Sequence, residues 1–184
     1  MTAPIDFYFD FSSPYGYLAS RKIEELAAKH GREVNWRPVL LGAIFKTTGG
    51  APLTQIPLKG DYSKRDFARS ARFHGVTEFS MPSVFPIASQ APARILLWAK
   101  AQDPALVSGI AHAFYRAYFV DDRDISNPDT AADDPAIKDS LKREVEAAVA
   151  AGVFGSPFVV VDGEPFWGID RFAQVDRWLA TGGF

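Results

Sequence analysis

The sequence predicts an α/β fold built from its two ends: a βαβ unit at the start, a ββα unit at the finish, and a long helical block between them. Three observations predict it. Strand-like alternation at residues 5–11 runs straight into a capped helix. Alternation then gives way to helical periods between Gly42 and about Gly152. It returns at 158–167, on either side of an Asp162-Gly163 turn signal. The expected division is 1–41 with 153–184 for the α/β part, and 42–152 for an all-helical insertion.

In IDFYFDF, Ile5, Phe7, Phe9 and Phe11 alternate with Asp6, Tyr8 and Asp10, the period of a strand. Ser13 and Pro14 fit an N-cap and first helical residue. Leu18, Ile23, Leu26 and Ala27 then recur at helical spacing until Gly31 stops the helix. Val34 and Trp36 alternate again, giving a second strand in which Pro38 is tolerated near an end or edge. In the central block, residues 61–74, 89–101 and 104–119 read as helices, the last with Val107, Ile110, Ala111, Phe114 and Tyr118 on one face. Asp134 and Pro135 provide the cap and first turn of another, whose stripe is Ile137, Leu141, Val145 and Ala148. FVVV and EPFW then make a hairpin. Asp170 can cap a last helix carrying Phe172, Val175 and Leu179. This order is that of a thioredoxin-like fold, βαβ…ββα, interrupted by a helical insertion.

The chain has 184 residues, enough for one domain with a sizeable insertion. With 47% hydrophobic and 14% aromatic residues it has the composition of a well-packed globular protein. A net charge of −2 offers no basic field for phosphates, so neither nucleic acid nor an anionic membrane is expected as a partner. No apolar run is long enough to span a bilayer, and no secretory pattern opens the sequence; a cytoplasmic location is expected. There is no cysteine, which removes disulfides, thiolate metal sites and protein-thiol catalysis. Any sulfur chemistry must come from a bound molecule.

In a thioredoxin-like fold the active group sits where the first strand meets the first helix. Ser13-Pro14-Tyr15-Gly16 occupies the place where redox relatives carry Cys-Pro-x-Cys, so dithiol chemistry is excluded. A helix N-terminus still offers free N–H groups and a positive partial charge to an anion. Ser13 thus suits two roles: capping the helix, and donating a hydrogen bond to the thiolate of a bound thiol. Ser12 reads as a neighbour only. Ser156-Pro157 opens a strand directly after a helix, and its peptide bond is open to either isomer; a cis bond would leave the Ser156 backbone to pair with an extended peptide-like ligand. His30, His74 and His112 are not at metal-ligand spacing, and no metal is expected. Arg65, Arg69 and Arg72 share a helix face and read as a solvated charged surface. Asp121, Asp122 and Asp124 form a polar loop that does not match a calcium pattern.

FYFDFSSPYGYLA, IFKTTGG, PLKGDYSKRDF and GVFGSPFVVVDGEPFWGIDR together resemble the 2-hydroxychromene-2-carboxylate isomerase family, relatives of kappa-class glutathione transferases and DsbA-like proteins. The likeness runs over nearly the whole chain. It implies a glutathione-dependent cis/trans isomerase of aromatic-hydrocarbon breakdown, producing trans-o-hydroxybenzylidenepyruvate, and a homodimer. It further implies that Ser13 contacts the glutathione sulfur, and that Ser156, before Pro157, pairs its backbone with the cysteinyl amide. Asp170 of WGIDR would receive the γ-glutamyl ammonium, with Gly168 also glutathione-binding, Lys59 would reach the glycyl carboxylate, and Lys46 would meet an acidic aromatic substrate.

The sequence departs from the family pattern in places. Thr48-Gly49-Gly50 stands where Thr-Gly-Asn is common, and Phe85-Pro86-Ile87-Ala88-Ser89 where Phe-Pro-x-Asn-Ser is. Two amides expected near ligands are therefore missing. Ile169 replaces a usually polar residue, and the segment from Asp124 to Pro135 is short. These changes leave the second substrate open. A kappa-like glutathione transferase and a non-catalytic ligand-binding relative stand as alternatives to the isomerase.

Overall fold

The structure, a computed structural model, describes residues 3–126 and 135–184. Strand β1 (Ile5–Phe9) leads into helix α1 (Pro14–Lys29), and strand β2 (Val34–Pro38) closes the βαβ unit. Five helices follow: α2 (Leu41–Thr48), α3 (Lys59–Phe73), α4 (Gln90–Gln102), α5 (Leu106–Phe119) and α6 (Pro135–Ala150). The chain returns to the sheet as β3 (Phe158–Val161) and β4 (Glu164–Trp167), then ends in α7 (Phe172–Thr181). Asp134, expected to cap α6, lies outside the described residues.

The sheet runs β2-β1-β3-β4. β1 pairs parallel with β2, Phe7 opposite Trp36, and antiparallel with β3, Phe7 opposite Val159. Pro38 closes β2, an edge strand, where its missing N–H costs no ladder bond. The β3–β4 turn places Asp162 at φ 50 and Gly163 at φ 91, the positive values that an Asp-Gly hairpin turn requires.

The first strand is buried on both faces, which explains why its even positions are only partly polar. Ile5, Phe7 and Phe9 enter the larger core with Leu18 and Ile23 of α1, Tyr115 of α5 and Val175 of α7. Tyr8 enters a smaller core with Ile44 of α2, Ala148 of α6, Val153 and Phe158. Phe9 meets Phe11 edge-on at 5.1 Å and Trp36 at 5.4 Å, and Phe11 lies 5.1 Å from Tyr115. Aromatic pairs of this geometry add about 0.5–1.5 kcal/mol each beyond their buried area. Phe9 and Phe11 thereby tie the first strand and its exit to the insertion helix α5, through Tyr115 and Phe114.

One helix escapes the sequence pattern, and one expectation is corrected. Helix α2 was not resolvable from periodicity because it is short and begins at Leu41 without a local side-chain cap. Its cap comes from thirty-one residues away: Leu41 N–H donates to Asp10 Oδ2 at 2.7 Å. Asp170, expected to cap the last helix, does not do so. A 3-10 turn (Ile169–Arg171) precedes α7, whose N-cap is Arg171 with no side-chain cap bond, and Asp170 instead accepts from Arg171 at 2.9 Å. Ile169, the unusual apolar residue beside it, is buried in the core, so its apolar character matches its place.

Candidate active site

Ser13 starts α1 and faces the loop that leads into β3. Its Oγ accepts from Gly16 N–H at 3.0 Å, the N-cap bond the sequence implies, and donates to the Ser156 carbonyl at 3.0 Å. Both serines are buried. The Ser156–Pro157 bond is cis, as is Phe85–Pro86. In the first turn of α1, Pro14 has no N–H, while Gly16 and Tyr17 donate to Ser13 Oγ and Ser13 C=O. The Tyr15 and Ser156 N–H groups meet no acceptor among the described residues. The joint therefore offers two unused backbone donors at the positive end of a helix dipole.

Asp10 holds this joint together. Its N–H donates to Ser156 Oγ at 3.0 Å, and its carbonyl accepts from Ser13 N–H at 2.9 Å and Tyr115 Oη at 3.0 Å. The carboxylate accepts from Ser12 N–H at 2.8 Å, from Leu41 N–H, and from the Ser89 hydroxyl. Burial pushes the Asp10 carboxyl above its ordinary range, and these donors pull the other way. The close fit extends to Gly16, where a Cβ would stand 2.7 Å from Tyr115 Oη and 2.9 Å from Ser156 Oγ. A side chain there would have to displace one of these two hydroxyls.

The insertion supplies the surrounding walls. Ser12 is more than a neighbour: its Oγ accepts from Ile87 N–H at 3.2 Å and bonds Tyr118, whose hydroxyl donates to Val84 C=O at 2.9 Å. These contacts pin the 84–87 segment against the joint. On the other side, Tyr15 donates to Asp66 of α3 at 2.5 Å. Asp66 also accepts from Arg69, which lies over the Tyr62 ring at 5.5 Å. Burial of its ring and the carboxylate of Asp66 push the Tyr15 hydroxyl above its ordinary range.

Of the residues singled out by sequence, the structure joins Ser13, Ser156 and Pro157 directly, and links Pro157 to Gly168, whose N–H donates to the Pro157 carbonyl at 3.0 Å. Asp170 follows on the same turn, exposed, with its carboxylate folded back toward Gly168. Lys59 opens α3 and Lys46 lies in the last turn of α2; both are exposed and touch neither serine. Sequence reasoning missed Asp10, Ser12, Ser89, Tyr115 and Asp66. Asp10 carried a faint signal as an acid at the end of an otherwise buried strand, but its partners lie 31, 79 and 146 positions away.

A family profile described as DSBA-like thioredoxin domain matches residues 4–180. The chain is 30% identical to a 2-hydroxychromene-2-carboxylate isomerase of Sphingobium xenophagum, over 97% of its own length and 99% of that protein's. It is 24% identical to glutathione S-transferase kappa 2 of Caenorhabditis elegans, over 96% of its own length and 91% of that chain. A solved 2-hydroxychromene-2-carboxylate isomerase superposes with a TM-score of 0.79 at 22% identity, covering 96% of this chain and 94% of that one. The chain belongs to the DsbA-like thioredoxin-fold proteins and, within them, to the 2-hydroxychromene-2-carboxylate isomerase family. No helix among the described residues is long and apolar enough to cross a membrane.

Proposed function

We propose that the protein is a glutathione-dependent cis/trans isomerase acting on an aromatic carboxylate of the 2-hydroxychromene-2-carboxylate type. The observation that carries this reading is the joint itself: in a chain without cysteine, a buried serine caps a helix N-terminus beside unused Tyr15 and Ser156 N–H donors. A peptide thiolate fits that donor set, since a helix N-terminus lowers thiol pKa values and a neighbouring donor holds the anion. When bound, glutathione would supply a nucleophilic sulfur that adds reversibly to a conjugated double bond and lets it rotate. Ser13 would steady the sulfur, and Ser156 would pair through its backbone with the cysteinyl residue. Asp170 would take the γ-glutamyl ammonium, with Gly168 beside it among the glutathione-binding residues. Lys59 and Lys46, two exposed cations without ion-pair partners among the described residues, would meet the glycyl and substrate carboxylates. The names of the isomerase and kappa transferase relatives support the same reading.

With this function go a cytoplasmic location, a homodimer, and a division into a thioredoxin-like part (1–41, 153–184) and a helical insertion (42–152). Isothermal titration should show glutathione binding in the millimolar range or tighter; no heat at millimolar glutathione would sink the proposal. A kappa-like transferase is the second reading, favoured by the full-length likeness to the kappa relative. Net consumption of glutathione during turnover would select it, and unchanged glutathione would select the isomerase.

A further inference from the structure

The Ser13 hydroxyl carries one hydrogen, and in this structure that hydrogen is committed within the chain. The Gly16 N–H can only donate to Oγ, and the Ser156 carbonyl can only accept from it, so the direction of both bonds is fixed. A thiolate is likewise an acceptor. Ser13 cannot make a full hydrogen bond to a sulfur anion while its hydrogen stays on Ser156.

We propose that Ser13 is a ligand-released donor. On the glutathione reading above, an amide N–H of the docking peptide takes over the Ser156 carbonyl, and the freed Ser13 hydrogen turns to the sulfur. Backbone docking and thiol ionisation are thereby coupled through one hydroxyl, the thiol proton leaving to water. The surroundings favour a switch that moves hydrogen and nothing heavier. Ser13 Oγ is held by Gly16 N–H, Ser156 Oγ by Asp10 N–H, and the Asp10 carbonyl by both Ser13 N–H and Tyr115 Oη. Only the torsion about the Ser13 Cβ–Oγ bond remains free. Ser156 also presents its unused N–H beside the contested carbonyl, so an extended peptide finds a donor and an acceptor on one residue. The exchange is downhill because a hydrogen bond to an anion is roughly twice as strong as one between neutral groups. A small thiol without an amide would leave the Ser13 hydrogen on Ser156 and would ionise less readily than glutathione.

The test compares glutathione with its depsipeptide analogue, in which an ester oxygen replaces the cysteinyl N–H. Binding is followed by calorimetry and thiolate formation by ultraviolet absorbance against pH. With wild-type protein, bound glutathione should ionise at least one pH unit below the ordinary thiol value of about 8.5, whereas the bound ester, left with the helix N-terminus alone, should titrate clearly above bound glutathione and bind about 10–100-fold more weakly. In Ser13→Ala, checked for folding by circular dichroism, the two ligands should titrate alike. The coupling is overturned if the ester bound to wild-type protein ionises as readily as glutathione. It is also overturned if the ester fails to bind at a thousand times the glutathione dissociation constant, because one hydrogen bond does not carry that much. Failure of glutathione itself to bind would instead remove the functional reading on which the coupling rests.

Discussion

Asp10→Ala is the sharpest perturbation of the joint. The substitution strands two inward-facing backbone donors, Ser12 N–H and Leu41 N–H, which now reach the carboxylate at 2.8 and 2.7 Å. Leaving a buried donor unsatisfied costs about 1–3 kcal/mol, so about 2–6 kcal/mol is the upper bound for these two part-buried donors. Removing a carboxyl that burial disfavours returns part of this, which places the expected loss at about 2–4 kcal/mol, against a typical total of about 5–15 kcal/mol. For a chain of this size that is a drop of about 4–16 °C in melting temperature. Asp10→Asn keeps one carbonyl oxygen but turns an amide NH2 toward the other donor, so it should fall between Ala and wild type. Urea unfolding with an unchanged m-value gives the ranking directly. If Asp10→Ala lies within about 0.5 kcal/mol of wild type, the carboxylate does not hold the joint, and the account of how α2 begins fails with it.

Gly16→Ala should destabilise by about 1–2 kcal/mol: overpacking against Tyr115 Oη and Ser156 Oγ outweighs the gain of about 1 kcal/mol that alanine brings to an ordinary helix site, and a higher melting temperature would contradict the fit. Ser13→Ala removes the N-cap and should cost about 0.5–2 kcal/mol while cutting turnover far more than stability; equal activity in both proteins would leave the serine a cap and nothing else. Burial opposes ionisation of Asp66, but hydrogen bonds from Tyr15 and Arg69 outweigh it and hold its carboxyl below the ordinary range. The folded chain then binds this proton less readily than the unfolded one, so the contribution is present above about pH 4 and is lost as pH falls through the lowered value. Asp66→Asn should flatten stability against pH on that acid limb, and an unaltered limb would show that the Tyr15–Asp66 contact carries no linkage.

What could be read from the chain divides along the range of the interactions. Strands and long helices announce themselves because alternation and 3.6-residue periods are local, as in Ile5–Phe9 and the stripe from Ile137 to Ala148. The N-cap at Ser13 is equally local, since Gly16 is its partner three residues on. Helix α2 escapes that reading because its cap is Asp10, and Asp170 misleads it because a 3-10 turn intervenes before α7. The site divides in the same way. Ser13 and Ser156 stand out by their prolines, but the bond between them crosses 143 residues, and no spacing rule could orient the hydroxyl hydrogen that joins them.

The two lysines assigned to the carboxylates sit on different helices of the insertion, and each helix is fastened to the joint by its own acid. Asp10 caps α2, whose last turn carries Lys46. Asp66 receives Tyr15 from α1 and lies two turns beyond Lys59 on α3. Neither fastening involves Gly50 or Ala88, the positions where amides usual in the family are missing. On the proposed reading, the two cations would keep their places on α2 and α3 while residues 50 and 88 differ. On that reading, the separation would let the thiol joint stay unchanged while the pocket for the aromatic acid varies. Restoring Gly50→Asn and Ala88→Asn should then alter KM for a chromene-type substrate while leaving glutathione affinity within about twofold, a change of roughly 0.4 kcal/mol. A matching loss of glutathione affinity would show that the two sites are not independently fastened.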